Sequence, residues 1–418
     1  MKQFNSTLLK AGLLCSIFFL FIGSPVKAVD RIVQELGGSG TFPSITSAVN
    51  AASDGDRIII FNRAGGLPWQ ETVTVGKSLT FLPAVDGIRF LVLGDWNISP
   101  TASGKDIRIV GMENLGGDVR ANNNAPAGTR TEVEIVGCKI TGDLEFDRDY
   151  FDMLVASNEI LAGASGFDGR INISYGNIYG NTTGGAISFN SDAIPGNEIF
   201  DMIGNTCPRM DWNSDTHFFR IANNNIQRSG TGSWTTLFIG SVKNSSAEIN
   251  NIENNSVFIS GSSSFSTHYG IYLNNINATN ATINMLNNAV VFSGGTSPTT
   301  YGIYKHPSAT YSLFAAYNHI ATSFDNELTN IAGTLNVIAS MSMASTGLPS
   351  GSSVLDGGHP GKDYIDHDLS RNDPGCFGGS FNITNYSVSA APVIFHVETP
   401  RTVLQGSTLN VTSEGFDR

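Results

Sequence analysis

The sequence predicts an all-β chain wound as a parallel β-helix, and three observations carry that expectation. A short apolar pattern of period two recurs along most of the chain. An asparagine stands at the same place in most copies. The composition suits stacked turns, with 46 Gly and 39 Asn among 418 residues, 14% charged and 40% hydrophobic. Period-two alternation marks strands with one face inward, and a unit repeating along the chain marks a solenoid. No 3.6-residue period is sustained, which excludes a helical repeat. The apolar content and low charge exclude a disordered chain. A net charge of −12 without basic clusters argues against nucleic acid as a partner.

Residues 1–28 read as a Sec-type signal peptide. Lys2 and Lys10 precede an apolar run from Ala11 to Gly23, and Val26-Lys27-Ala28 places cleavage before Val29. The run is short for a membrane span, so the mature chain is expected outside the cell or at its surface. Cleavage lowers Lys+Arg from 24 to 21 against 36 acidic residues, a formal charge near −15. An N-terminal cap follows at 29–56. Within it, Pro43 to Ala52 reads as a short amphipathic helix with Ser44 as N-cap and Ile45, Ala48, Val49 and Ala52 as its apolar stripe. The first strands are expected at Arg57 to Phe61, Glu71 to Val75 and Leu79 to Leu82. The β-helix itself is expected over 57–385, in about ten coils stacked roughly 4.8 Å apart.

The copies run Val133, Ile135, Cys138, Ile140; Met153, Val155, Asn158, Ile160; Ile171, Ile173, Gly176, Ile178; Phe200, Met202, Asn205, Cys207; and Phe219, Ile221, Asn224, Ile226. Later ones are Ile249, Asn255, Val257; Ile283, Met285, Asn288, Val290; and Leu313, Ala315, Asn318, Ile320. The Asn is expected at a tight bend, where it tolerates a left-handed backbone. Stacked at one corner, the amides would form a ladder. Two longer copies carry a second motif: Asn255 to Gly261 leads to Tyr269-Gly270-Ile271-Tyr272, and Asn288 to Gly294 leads to Tyr301-Gly302-Ile303-Tyr304. Insertions on one side of a solenoid mark a binding face. Beyond the leader the cysteines are Cys138, Cys207 and Cys376. They are odd in number and far apart, so they read as buried hydrophobes rather than a disulfide framework.

Gly40 to Val49, Gly55 to Ile60, Gln70 to Val75 and Lys77 to Phe81 together resemble the opening of pectin-lyase-like right-handed parallel β-helix proteins. Asp366 to Gly379 is similar to the close of bacterial secreted β-helix proteins, with Pro374-Gly375-Cys376-Phe377 where the common form has Ile-Gly-Ala-Tyr. The resemblance covers about residues 35–385. It implies right-handed winding and an irregular C-terminal cap. It does not fix an activity, because this fold hosts lyases, hydrolases, esterases, adhesins and structural proteins. The catalytic motifs of its polygalacturonases and pectin esterases are not found. At 386–418, Pro392 to Val397 and Thr402 to Val411 look like the first strands of an Ig-like sandwich, either truncated or lying along the solenoid.

Three clusters are candidates for chemistry. Asp211, Trp212, Asp215, His217 and Arg220, with Asp168 and Arg170 a coil below, supply carboxylates, a base, cations and a sugar-stacking ring. That set suits a polysaccharide lyase or glycoside hydrolase if it meets in one groove, and a solvated turn if it does not. Asp363, Asp366, Asp368 and Asp373 either hold Ca²⁺ or satisfy turn amides. Tyr269, Tyr272, Tyr301 and Tyr304 either form an aromatic strip for sugars or pack to cover the sheet. The leading expectation is a secreted or surface-associated repeat protein, non-catalytic, offering an extended face to a glycan or partner. The alternative is a lyase or hydrolase acting on an extracellular polysaccharide.

Overall fold

The computed structural model describes residues 28–163, 168–230, 234–261, 267–274, 276–293, 299–321, 328–329, 333–351, 353–361, 364–366, 368, 370–379, 381–386, 393–398 and 412–416. The leader therefore lies outside the described residues. The chain forms a right-handed parallel β-helix. Three all-parallel sheets run its length, with 14, 12 and 11 strands. Sheet 1 carries strands such as Thr131–Val136, sheet 2 such as Lys139–Thr141, and sheet 3 such as Leu144–Phe146. Each coil visits them in that order. The eleven strands of sheet 3 thus count eleven complete coils, one more than the sequence suggested.

Alternation fixes which side chains go inside. In Thr131–Val136, Val133 and Ile135 are fully buried while Glu132 is exposed. One continuous apolar column runs from Val33 through Phe81, Ile135, Ile221 and Ile283 to Ile320. Helix α1, Ile45–Ala51, closes the lower end. Ser44 caps it in a capping box with Ser47, and Ile45, Ala48 and Val49 are buried. Glu71 accepts the Ile45 and Thr46 amides at 2.8 Å, which suits the positive end of the helix.

The asparagine ladder stands at the corner between sheets 1 and 2. Asn158, Asn181, Asn205, Asn224, Asn255, Asn288 and Asn318 each donate Nδ2 to the Oδ1 of the next, at 2.9–3.1 Å, ending on Asn336. Coil steps between them are 23, 24, 19, 31, 33, 30 and 18 residues. Two expectations change here. The ladder residue of the sixth coil is Asn181, not Gly176, because Ile171 and Ile173 belong to sheet 3. The left-handed residue is the one before each ladder position: Ser157, Gly180, Gly204, Asn223, Asn254, Asn287, Tyr317 and Leu335, with φ of 52–70°.

A second column stands at the corner between sheets 2 and 3. Asp95 accepts the Asp118 amide, Asp118 the Asp143 amide and Asp143 the Arg170 amide, at 3.0–3.1 Å. Arg120 bridges Asp95 and Asp118. The preceding Gly94, Gly117 and Gly142 stack so closely that a Cβ on Gly142 would stand 2.2 Å from the Gly117 carbonyl oxygen.

The coils end at Val337–Ile338 rather than near 385. The described residues from 340 to 386 form a strap lying along the asparagine corner. Asn223 Nδ2 donates to the carbonyls of Cys376 and Gly378, and Asn254 Nδ2 to Asn372 Oδ1 and the Asp373 carbonyl. Ser256 Oγ donates to the Gly347 carbonyl and accepts the Cys376 amide. Tyr386 packs on an outward apolar stripe of Val110, Val136, Ala156, Tyr179, Ile203 and Ala222. The expected C-terminal cap is thus a flank strap. Val393–Glu398 pairs antiparallel with Thr412–Phe416, while Thr402 to Val411 lies outside the described residues. Cys138, Cys207 and Cys376 are buried and free, as expected.

Candidate functional site

The outer face of sheet 3 gathers the densest set of sequence-nominated side chains. Strands Trp234–Ile239, Thr267–Leu273 and Thr299–Lys305 stack in consecutive coils. Their register sets Thr235 beside Tyr269 beside Tyr301, and Phe238 beside Tyr272 beside Tyr304. Leu237, Ile271 and Ile303 point inward and are fully buried. Tyr269 and Tyr272 are three apart, yet both stay partly exposed, because alternation breaks at the buried Gly270. A Cβ there would stand 2.5 Å from the Gly302 carbonyl oxygen and from Val290. The Tyr-Gly-Ile-Tyr motif therefore puts two tyrosines per coil on one face.

The rings touch. Tyr269 stands 5.2 Å from Tyr301 at 9° between planes, 4.7 Å from Tyr272 at 19°, and 5.2 Å from Tyr304 at 59°. Phe238 extends the patch to Tyr272 at 5.6 Å. The stack joins adjacent coils. Burial, then the neighbouring phenols, push the Tyr269 hydroxyl above its usual range, and Tyr272 shifts likewise. Both stay protonated donors at neutral pH.

Asp211 joins this face, one coil before Phe238 in register. Its Oδ1 accepts Arg209 Nε at 2.8 Å. Burial raises its carboxyl, against the pull of Arg209, Arg228 and Ser188. Arg228 donates to the Thr235 carbonyl at 3.1 Å. An ion pair thus borders a patch of phenolic hydroxyls, an arrangement suited to holding a polar chain by hydrogen bonds.

The rest of the first cluster disperses. Trp212 is a correction: its indole lies inside the coil, fully buried, stacked 4.3 Å from Phe189, and Nε1 donates to the Ser214 carbonyl. It has no face to offer a sugar. Asp168 is exposed at the corner between sheets 2 and 3. Arg170 is there too, paired with Asp143 and Glu145. Asp215 is exposed at the turn from sheet 3 to sheet 1, held by Ser191 Oγ at 2.8 Å. His217 does not project: it is fully buried in that turn, against Tyr175 and Phe200. Burial lowers its pKa. Arg220 sits on sheet 1, bidentate to Asp201 at 2.7 and 2.9 Å and 4.9 Å from the Phe381 ring of the strap.

In the strap, Asp366 accepts the Asp373 and Gly379 amides, Asp373 accepts the Asp356 amide, and Asp368 accepts the Ser370 amide and hydroxyl. Asp363 lies outside the described residues. Among the described residues no three His, Cys, Asp or Glu side chains are placed to hold a metal ion.

Sequence reasoning missed a charged cluster at the turn from sheet 3 to sheet 1. Arg130 pairs with the buried Asp192 and lies 3.5 Å over the Tyr175 ring. Burial pushes the nearby Asp152 carboxyl up to about 6, against Arg130 and with help from Glu132 and Glu198. His217 Nε2 is 3.7 Å from Glu198 there. These residues come from five successive coils and share no motif.

No protein-family model matches the chain, and no curated protein or solved structure matches it significantly. Among the described residues no helix is long and apolar enough to cross a membrane.

Proposed function

We propose that this chain is an exported, non-catalytic β-helix protein that presents the outer face of sheet 3 to a glycan. One observation carries the reading: Tyr269, Tyr272, Tyr301, Tyr304 and Phe238 form a continuous outward patch over three coils. Aromatic and hydroxyl-bearing surfaces of this kind suit ligands that are apolar on one side and polar on the other. Export rests on the leader-like first 28 residues and on the resemblance to pectin-lyase-like bacterial secreted proteins.

The alternative, a polysaccharide lyase or glycoside hydrolase, needs Asp168, Arg170, Asp211, Asp215 and His217 in one groove. They stand at two corners and one sheet face, and His217 has no exposed surface. The charged cluster around Asp152 and Glu198 does not replace them: Arg130 there is paired with Asp192 and His217 is fully buried.

The test is native affinity electrophoresis of the protein through soluble polysaccharides, with the double variant Tyr269→Ala/Tyr301→Ala beside it. Retardation of the wild type by at least one polysaccharide, lost in the variant, supports the reading. Retardation equal in both places binding elsewhere. Reducing sugar or unsaturated product released by wild type and lost in Asp211→Ala would restore the enzyme.

A further inference from the structure

The stacking geometry bears on how a glycan would be held. Sugars that bind by CH–π contact lie flat on an open aromatic face. Tyr269 has three rings within 4.7–5.2 Å, two of them near-parallel to it. Tyr304 is itself 4.8 Å from Tyr301 and 5.4 Å from Tyr272. Tyr269 is engaged by near-parallel rings of Tyr272 and Tyr301, and Tyr304 meets its three neighbours tilted by 51–59°, so the patch is knit ring to ring while every phenol keeps its hydroxyl. Each phenol both donates and accepts a hydrogen bond. Tyr272 already donates to Asn274 Oδ1 at 3.3 Å and keeps its acceptor side.

We infer that the sheet 3 face recognises an uncharged, hydroxyl-rich polysaccharide through the phenolic oxygens of Tyr269, Tyr272, Tyr301 and Tyr304, not through ring faces. The inference rests on the glycan-binding reading above. Charge supports it. The chain carries −12 overall; of the cations bordering the patch, Arg209 is paired with Asp211, while Arg228 and Lys305 donate to the Thr235 and Tyr311 carbonyls. A polyanion would meet a net negative chain.

The experiment sets Tyr→Phe against Tyr→Ala. Tyr269→Phe/Tyr301→Phe keeps both rings and the stack and removes only two hydroxyls. Affinity electrophoresis and titration calorimetry use mixed-linkage β-glucan, galactomannan and xyloglucan as neutral probes, and polygalacturonate and alginate as acidic ones, at low and high salt. The expected result is binding to a neutral probe that is indifferent to salt and weakened about tenfold or more in the Phe variant, the loss expected for two hydrogen bonds. The Ala variant loses as much. Neutral binding that survives in the Phe variant and fails in the Ala variant overturns the hydroxyl mode and leaves the glycan reading standing. Salt-sensitive binding confined to the acidic probes overturns the uncharged class. No binding to any probe sinks the glycan reading and this inference with it. Thermal unfolding of both variants separates lost binding from lost fold.

Discussion

Asn223 and Asn224 are neighbours in sequence and hold different parts of the molecule. Asn224 Nδ2 reaches up the ladder to Asn255 at 2.9 Å, while Asn223, left-handed at φ 52°, turns outward to two strap carbonyls. The doublet recurs at Asn254-Asn255. There too the first residue serves the strap and the second the ladder.

This division separates two substitutions one position apart. Asn255 is fully buried and bonds Ile221, Asn224 and Asn288. Asn255→Ala leaves several buried polar groups unpaired and is expected to cost about 3 kcal/mol or more, at about 1–3 kcal/mol for each unsatisfied group. Asn254→Gly keeps the left-handed backbone and loses only strap bonds, so about 1 kcal/mol is expected. Urea unfolding measures the first. Limited proteolysis within 340–386 should report the second, as faster cleavage with the coils intact.

The glycine column at the other corner tolerates no side chain. Gly142→Ala would put a methyl carbon 2.2 Å from the Gly117 carbonyl oxygen and 3.2 Å from Asp118 Oδ1. Because backbone of two coils must part, a loss of about 3 kcal/mol or more is expected in urea unfolding. Gly137→Ala, with nothing within 4 Å but φ of 63°, should cost only about 1 kcal/mol.

Asp152 predicts a pH effect with a definite sign. Its carboxyl is pushed up to about 6 from an ordinary value near 3.8, first by burial. The folded state therefore takes up a proton more readily than the unfolded one. The penalty is full above about pH 6 and fades as pH falls toward 3.8. Asp152→Asn is expected to stabilise the protein by about 1–2 kcal/mol at pH 7.5 and by nothing near pH 4. Thermal unfolding at the two pH values checks it; destabilisation at pH 7.5 contradicts it.

His217 has the opposite linkage. Burial lowers its pKa in the folded state. Its neutral form costs nothing above the ordinary histidine value, and stability falls as pH drops below about 6.5, where the unfolded chain protonates first. In His217→Gln that acid-side loss should shrink when stability is followed from pH 7 to pH 5.

Much of the architecture was legible because inside and outside follow period-two alternation. Met153 and Val155, Ile283 and Met285 all read correctly as inward pairs. Alternation does not say which sheet a strand joins, since all three share it. That is why Ile171 and Ile173 passed for a corner copy and Asn181 was missed. Trp212 obeys the same rule beside Met210, but its acidic neighbours suggested a surface. Gly-Asp repeats at 94–95, 117–118 and 142–143 were available as a signal for the second ladder. Asp366 to Gly379 was legible as a closing segment, but its place along the flank was not, because it is held largely through its own backbone groups. Tyrosines 269, 272, 301 and 304 were legible as a face from their repeated motif; their mutual stacking was not, because interplanar angles are not written in spacing.

The most direct test of the central claim is hydroxyl-radical footprinting of the protein with and without a retarding polysaccharide. The account predicts protection of Tyr269, Tyr272, Tyr301 and Tyr304, with exposed Phe61 and Phe314 unchanged. Unchanged oxidation of the four tyrosines, or protection centred on Phe61 or Phe314, would contradict it.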